Sequence, residues 1–197
     1  MTALGIAGYM GSGKSTVARL LAKEPHTLWD GDSEAKQLIM SDPAVLDGIR
    51  DEFGRDVFSD GSLSFNALGA KAFASETALR RLNTLVHPPL LERLKNRLLQ
   101  RSHKELVIID AALITLWKIE EWFDLCVWVH APRVERINRI TRKSGLPQSV
   151  VTQRAELQET VVPPPSDKQW LMVDNTGSLE DLQATVSRFA ERYLPRN

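Results

Sequence analysis

The chain of 197 residues has one cysteine, two tyrosines and no excess of charge of either sign. Each shortage excludes something. With Cys126 alone there is no disulfide framework, and its place in the apolar run Leu125 to Val129 gives it the role of a buried structural thiol. Lys plus Arg number 25 and Asp plus Glu number 25, so no net field marks a partner that is nucleic acid or a membrane surface. Long hydrophobic runs are also missing. The longest, Leu106 to Trp117, is interrupted by Asp110 and is too short to cross a bilayer. The first residues lack a basic stretch followed by a long apolar one, so the expectation is a soluble, cytoplasmic protein. A hydrophobic content of 43% is ordinary for a globular chain, and this length supports one sizeable core with room for an inserted lobe.

What is present is concentrated near the start. Gly8-Tyr9-Met10-Gly11-Ser12-Gly13-Lys14-Ser15-Thr16 fits the phosphate-loop pattern G-x-x-x-x-G-K-[ST]. The pattern reads as a nucleoside triphosphate site only between a buried strand and a helix. Ala3 to Ala7 suits the strand, and Val17, Ala18, Leu20 and Leu21 recur at helical spacing. A triphosphate needs backbone N–H groups close to its oxygens, which accounts for Gly8, Gly11 and Gly13. The helix opening near Lys14 directs its positive end at the same anion. Lys14 then reaches the β- and γ-phosphates, and Ser15 ligates Mg²⁺. The nucleotide-binding set is Gly8, Gly11, Ser12, Gly13, Lys14, Ser15 and Thr16, with ATP and Mg²⁺ as the groups implied.

Four further apolar runs read as buried strands: 27–29, 106–109, 125–129 and 170–173. Helical patterns separate them, which predicts a parallel sheet covered on both faces. Ligands of such sheets bind beyond the carboxyl ends of the strands. Asp30 and Asp110 directly follow apolar runs and become candidate site residues; helix caps or turns are the plainer reading. From Asp32 to Lys104 helical patterns dominate, with Asp60-Gly61 as a turn between helices, so this stretch predicts an acceptor-binding insertion. A second insertion follows Pro132. Arg133, Arg136, Arg139 and Arg142 recur every three residues along one side of a helix, with Lys143 beside them. A solvated basic face is one reading of that stripe, and a lid closing over a triphosphate is the other. Pro163-Pro164-Pro165 stops the helix. Ser178 caps a last helix, Leu179 to Tyr193, and the preceding Asp174–Gly177 is either a turn or an adenine contact through Asn175.

In that order and spacing, the phosphate loop, Asp30-Gly31-Asp32, His87-Pro88, Asp110, Arg133–Lys143 and Asp174-Asn175-Thr176-Gly177-Ser178-Leu179-Glu180 resemble the dephospho-coenzyme A kinase family over nearly the whole chain. The resemblance implies a three-layer α/β P-loop kinase fold with a five-stranded parallel sheet. Its core would be 1–32, 105–132 and 168–197, its acceptor-binding insertion 33–104 and its lid 133–167. It also implies transfer of the ATP γ-phosphoryl group to the 3′-hydroxyl of dephospho-coenzyme A. By resemblance Asp32 is the catalytic base, and Asp30 supports it; one of the two holds Mg²⁺ through water. Lys36 holds an acceptor phosphate, His87 lines the acceptor pocket, and Arg139 braces the transferring phosphoryl. Considered alone, His87-Pro88 reads as a helix boundary.

The chain departs from the family pattern at several places. Ala112 stands where Pro is usual, Leu116 where an acid is usual, and Phe65 and Val161 where Arg is usual. Trp170-Leu171 replaces an acidic pair expected before the last strand. The alternatives are another small-molecule kinase, acting on a nucleoside monophosphate or a sugar acid, and an ATP-binding regulatory module. A GTPase switch would carry Asn-Lys-x-Asp, which does not occur.

Overall fold

The computed structural model describes residues 2–23, 26–102, 105–166 and 170–194. The expected domain boundaries at 104 and 167–168 lie outside the described residues. The chain divides into two compact units, residues 1–31 with 100–197, and residues 32–99.

The first unit is built on a parallel sheet of five strands: β1 (Ala3–Ala7), β2 (Thr27–Asp30), β5 (Val107–Asp110), β6 (Leu125–His130) and β7 (Trp170–Asp174). Their order is β2-β5-β1-β6-β7. Alternation along β1 explains why both faces are covered. Leu4 and Ile6 join a buried cluster with Val17 and Leu21 of α1 (Lys14–Leu21) and with Leu182, Val186 and Phe189 of α9 (Leu179–Tyr193). Gly5 faces the other way, where a Cβ would lie 3.0–3.1 Å from Phe123 and from Ile114 of α6 (Ile114–Trp117). The chain leaves β1 towards β2 and leaves β6 towards β7. The crevice between the carboxyl ends of β1 and β6 is therefore the switch point where such sheets bind ligands. Each apolar run located its strand, but β2, β5, β6 and β7 all extend one residue further, onto Asp30, Asp110, His130 and Asp174.

After β6 the chain forms two helices, α7 (Arg133–Ser144) and α8 (Gln148–Val161). Gly145, at φ 69°, ends α7, and Pro147 precedes α8. They pack through Ile137, Val151 and Ala155, with Met10, Ile140 and Leu146 against that cluster.

The second unit contains α3 (Pro43–Phe53), capped by Asp42, together with α4 (Phe65–Ala72), capped by Ser64, and α5 (Glu76–Leu99). The helix α2 (Gly31–Ser41) leads into it. Two expectations need correction here. Asp60-Gly61 turns between strands rather than helices: β3 (Phe58–Ser59) pairs antiparallel with β4 (Ser62–Leu63). With φ at 51° and 77°, the two residues form the tight two-residue hairpin turn whose twist matches its strands. Nor is His87-Pro88 a helix boundary, because α5 runs through Pro88 and Pro89 for 24 residues. Buried Val86, Leu90 and Leu94 on either side keep the helix docked despite the missing N–H donors. No described helix is long and apolar enough to cross a membrane.

Candidate active site

The loop between β1 and α1 is folded on itself, with the Ser12 N–H donating to the Tyr9 carbonyl at 3.0 Å. Gly13 sits in the left-handed region at φ 96°, and no side chain caps the helix it precedes. The first N–H groups of α1 have no intrahelical acceptor, so this end presents donors and a partial positive charge. The Ser12 hydroxyl is buried and makes no hydrogen bond. Lys14 is also buried, and its Nζ lies 3.1 Å from Oδ1 of Asp110, which is 2% exposed. That carboxylate oxygen makes no hydrogen bond, so charge attraction holds the pair. An uncapped helix end, an orphaned hydroxyl and a buried ammonium together fit a polyphosphate.

The glycines have a further role that the sequence did not show. A Cβ on Gly11, at φ 76°, would lie 2.5 Å from the Arg136 carbonyl oxygen, and one on Gly13 would overlap the side-chain nitrogen of Asn175. Both contacts are with protein. Close packing of the loop against α7 and against the end of β7 therefore demands glycine, independently of any phosphate.

The other expected residues of this unit divide by what they touch. Asp30 and Asp110 are register partners on the neighbouring strands β2 and β5, a juxtaposition invisible in sequence. Asn175 is buried, and its Nδ2 donates to the Ser12 carbonyl at 2.7 Å. This commits the amide nitrogen to the loop. Arg139 donates through Nη2 to the Asn175 carbonyl (2.8 Å) and to Glu135 (3.1 Å), and Nη1 approaches the Gly11 carbonyl at 3.5 Å. Gly11, Ser12, Lys14, Asp110, Arg139 and Asn175 thus form one constellation. Asp32, in the first turn of α2, and Lys36, one turn later, are exposed and belong to the second unit, as does His87 within α5. Burial pushes the His87 imidazole down to about 4, so it is neutral near pH 7.

The arginine stripe is not a uniform solvated face. Arg142 and Lys143 are exposed, but Arg136 is 3% exposed and ion-paired with Glu159. Arg133 pairs with the same carboxylate. The complementary signal was in the sequence, as Glu156 and Glu159 one turn apart on the next helix. It is readable only once α7 and α8 are known to be adjacent. Among the described residues no group of three or more acidic, His or Cys side chains is placed to hold a metal. Mg²⁺ usually binds with only one or two carboxylates and phosphate oxygens, so this does not conflict with the chemistry implied.

The family model for dephospho-CoA kinase matches residues 2–181. The chain belongs to the dephospho-CoA kinase family. Its curated relatives include dephospho-CoA kinases of Corynebacterium glutamicum, 32% identical with 100% of this chain and 99% of the relative covered, and of Thermobifida fusca, 32% identical with 100% and 98% covered. A crystal structure from Thermus thermophilus superposes with a TM-score of 0.70 at 26% identity, covering 98% of each chain. A gluconokinase from Sinorhizobium meliloti is similar in fold, with a TM-score of 0.54 at 18% identity, covering 97% of this chain and 94% of that one. Membership makes the protein a kinase, which uses ATP and a small-molecule acceptor.

Several departures from the dephospho-CoA kinase pattern now have surroundings. Trp170 opens β7 rather than preceding it, and it is buried edge-on to Trp128 at 6.1 Å. Trp128 in turn meets Tyr9 of the phosphate loop edge-on at 5.1 Å. An acid at position 170 would face this aromatic row, which explains its absence here. Val161 is buried at the end of α8, where an arginine would have to be desolvated. Phe65 is the first residue of α4, directly after the Ser64 cap. Nothing in the structure explains Ala112 or Leu116.

Proposed function

We propose that the protein transfers the γ-phosphoryl group of ATP to the ribose 3′-hydroxyl of dephospho-coenzyme A. The observation that carries this reading is the buried Lys14–Asp110 pair beside an uncapped helix end and the orphaned Ser12 hydroxyl. Lys14 balances charge on the β- and γ-phosphates, taking them in place of Asp110. Phosphate oxygens accept from the Ser12 hydroxyl and from the first N–H groups of α1. Ser15, with Asp30 or Asp32 through water, would hold Mg²⁺, which would supply charge neutralisation at the transferring group. Asp32 accepts the proton of the 3′-hydroxyl as its oxygen bonds to the γ-phosphorus and the bond to ADP breaks. Arg139 offsets charge on the moving phosphoryl. Lys36 and His87 hold the acceptor, with His87 as a neutral hydrogen-bonding group. Residues 33–104 serve as the acceptor-binding region and α7–α8 as the lid.

ADP release, measured with ATP and Mg²⁺ across candidate acceptors, tests the reading. Release that depends on dephospho-coenzyme A supports it. Release that depends instead on a nucleoside monophosphate, gluconate or shikimate would replace it, and ATP binding without any acceptor-dependent release would favour a regulatory module.

A further inference from the structure

Met10, the third residue of the phosphate loop, is held on three sides by the helix pair α7–α8. Its N–H donates to Oε1 of Gln158 at 2.7 Å. Its carbonyl accepts from Nη1 of Arg136 at 3.3 Å. Its side chain packs on the Ile137, Val151 and Ala155 cluster. The preceding residue is held as well: the Tyr9 hydroxyl donates to the Val162 carbonyl at 3.2 Å, and the Arg136 guanidinium lies 5.1 Å from the centre of its ring. Arg136 also donates through Nε to the Ala131 carbonyl at 3.2 Å and pairs through Nη2 with Glu159.

We infer that Arg136 and Gln158 are positioning residues that lock the phosphate loop to the root of α7–α8, presetting the Met10–Gly11 turn for the nucleotide phosphates. A buried charge is costly unless paired and hydrogen-bonded, and Arg136 satisfies both conditions with acceptors from the loop, from Ala131 just after β6, and from α8. Its position is also geometrically fixed, because the Arg136 carbonyl is the atom that a Cβ on Gly11 would strike. Gln158 and Glu159 adjoin on α8 and address the two sides of the joint, one the loop amide and the other the guanidinium. The root of the helix pair is therefore part of the nucleotide site. The inference rests on the reading of Gly8–Thr16 as an ATP site, but not on the identity of the acceptor.

Arg136→Met removes the donor to Met10 and Ala131 while leaving Glu159 paired with Arg133. Gln158→Leu removes the acceptor of the Met10 N–H and leaves the ion pairs intact. Binding of ATP is measured by calorimetry on both variants and on the original chain, and folding is checked by circular dichroism. KM values for ATP and for dephospho-coenzyme A follow from ADP release. The expected result is a rise of about tenfold in Kd and KM for ATP, with KM for the acceptor within about twofold, in both variants. A purely structural role would lower the melting temperature and leave the ATP constants of the folded protein unchanged, and that outcome overturns the inference. Should Arg136→Met not fold, Gln158→Leu decides alone by the same criterion. Failure of the original chain to bind ATP would refute the nucleotide reading itself, a separate result.

Discussion

The contact between Gly13 and Asn175 makes a double-substitution experiment with a definite sign. Gly13→Ala forces a Cβ into the space of the Asn175 side-chain nitrogen and places alanine at φ 96°. The left-handed backbone costs about 1.5 kcal/mol. Displacing the amide also breaks its bond to the Ser12 carbonyl, a buried 2.7 Å contact, for about another 1.5 kcal/mol. The single variant should therefore lose about 3 kcal/mol. Asn175→Ala loses the same hydrogen bond without the strain, about 1.5 kcal/mol. In the double variant the obstructing nitrogen is gone and the bond can be lost only once. Its cost should be about 3 kcal/mol, whereas independent sites would give about 4.5 kcal/mol. Urea denaturation of the four proteins measures the coupling. Additivity within about 0.5 kcal/mol would show that a Cβ at position 13 leaves the Asn175 amide in place, and would refute the packing role given to Gly13.

Three further outcomes are expected. Asp32→Asn should lower kcat on the order of 10²–10⁴-fold with little change in KM for ATP, and normal turnover would remove Asp32 from the mechanism. Asp110→Asn leaves the Lys14 ammonium buried without its counter-charge and should cost about 3 kcal/mol in urea unfolding without nucleotide; an unchanged midpoint would contradict the ion pair. His87 is held down from 6.5 to about 4 by burial, so between those values the unfolded chain binds more protons than the folded one. The stability this gives is complete above pH 6.5, is lost as pH falls towards 4, and amounts to at most about 3 kcal/mol. Gln at position 87 should flatten that part of the stability–pH curve, and an unaltered slope would show that His87 is not the titrating group.

How much of this was legible in the sequence depends on the range of the interaction concerned. The phosphate loop, all five sheet strands and the Ser178 cap are local patterns, and each appears where its residues predicted. The cap is a complete capping box with Asp181. The strands ran one residue past each later apolar run because backbone pairing continues onto a polar residue, Asp30 pairing in register with Asp110 and His130 with Asp174. The β3–β4 hairpin was missed because two-residue strands carry no periodicity to detect. The unbroken α5 was missed because packing overrode the local preference of Pro88. The Arg136 joint was missed for a different reason. A row of arginines shows spacing, but its meaning depends on Glu159 and Met10, which are distant in sequence and adjacent only in the fold. The role of Asn175 was equally non-local, since its partner, Ser12, lies at the other end of the chain.

The most direct test of the account is the position of the new phosphate. The product of incubation with ATP, Mg²⁺ and dephospho-coenzyme A can be examined by phosphorus NMR and mass spectrometry. One added phosphate, as a monoester on the ribose 3′-oxygen with equimolar ADP, is the predicted result. Phosphate at any other position, or ADP formed without a phosphorylated acceptor, would contradict it.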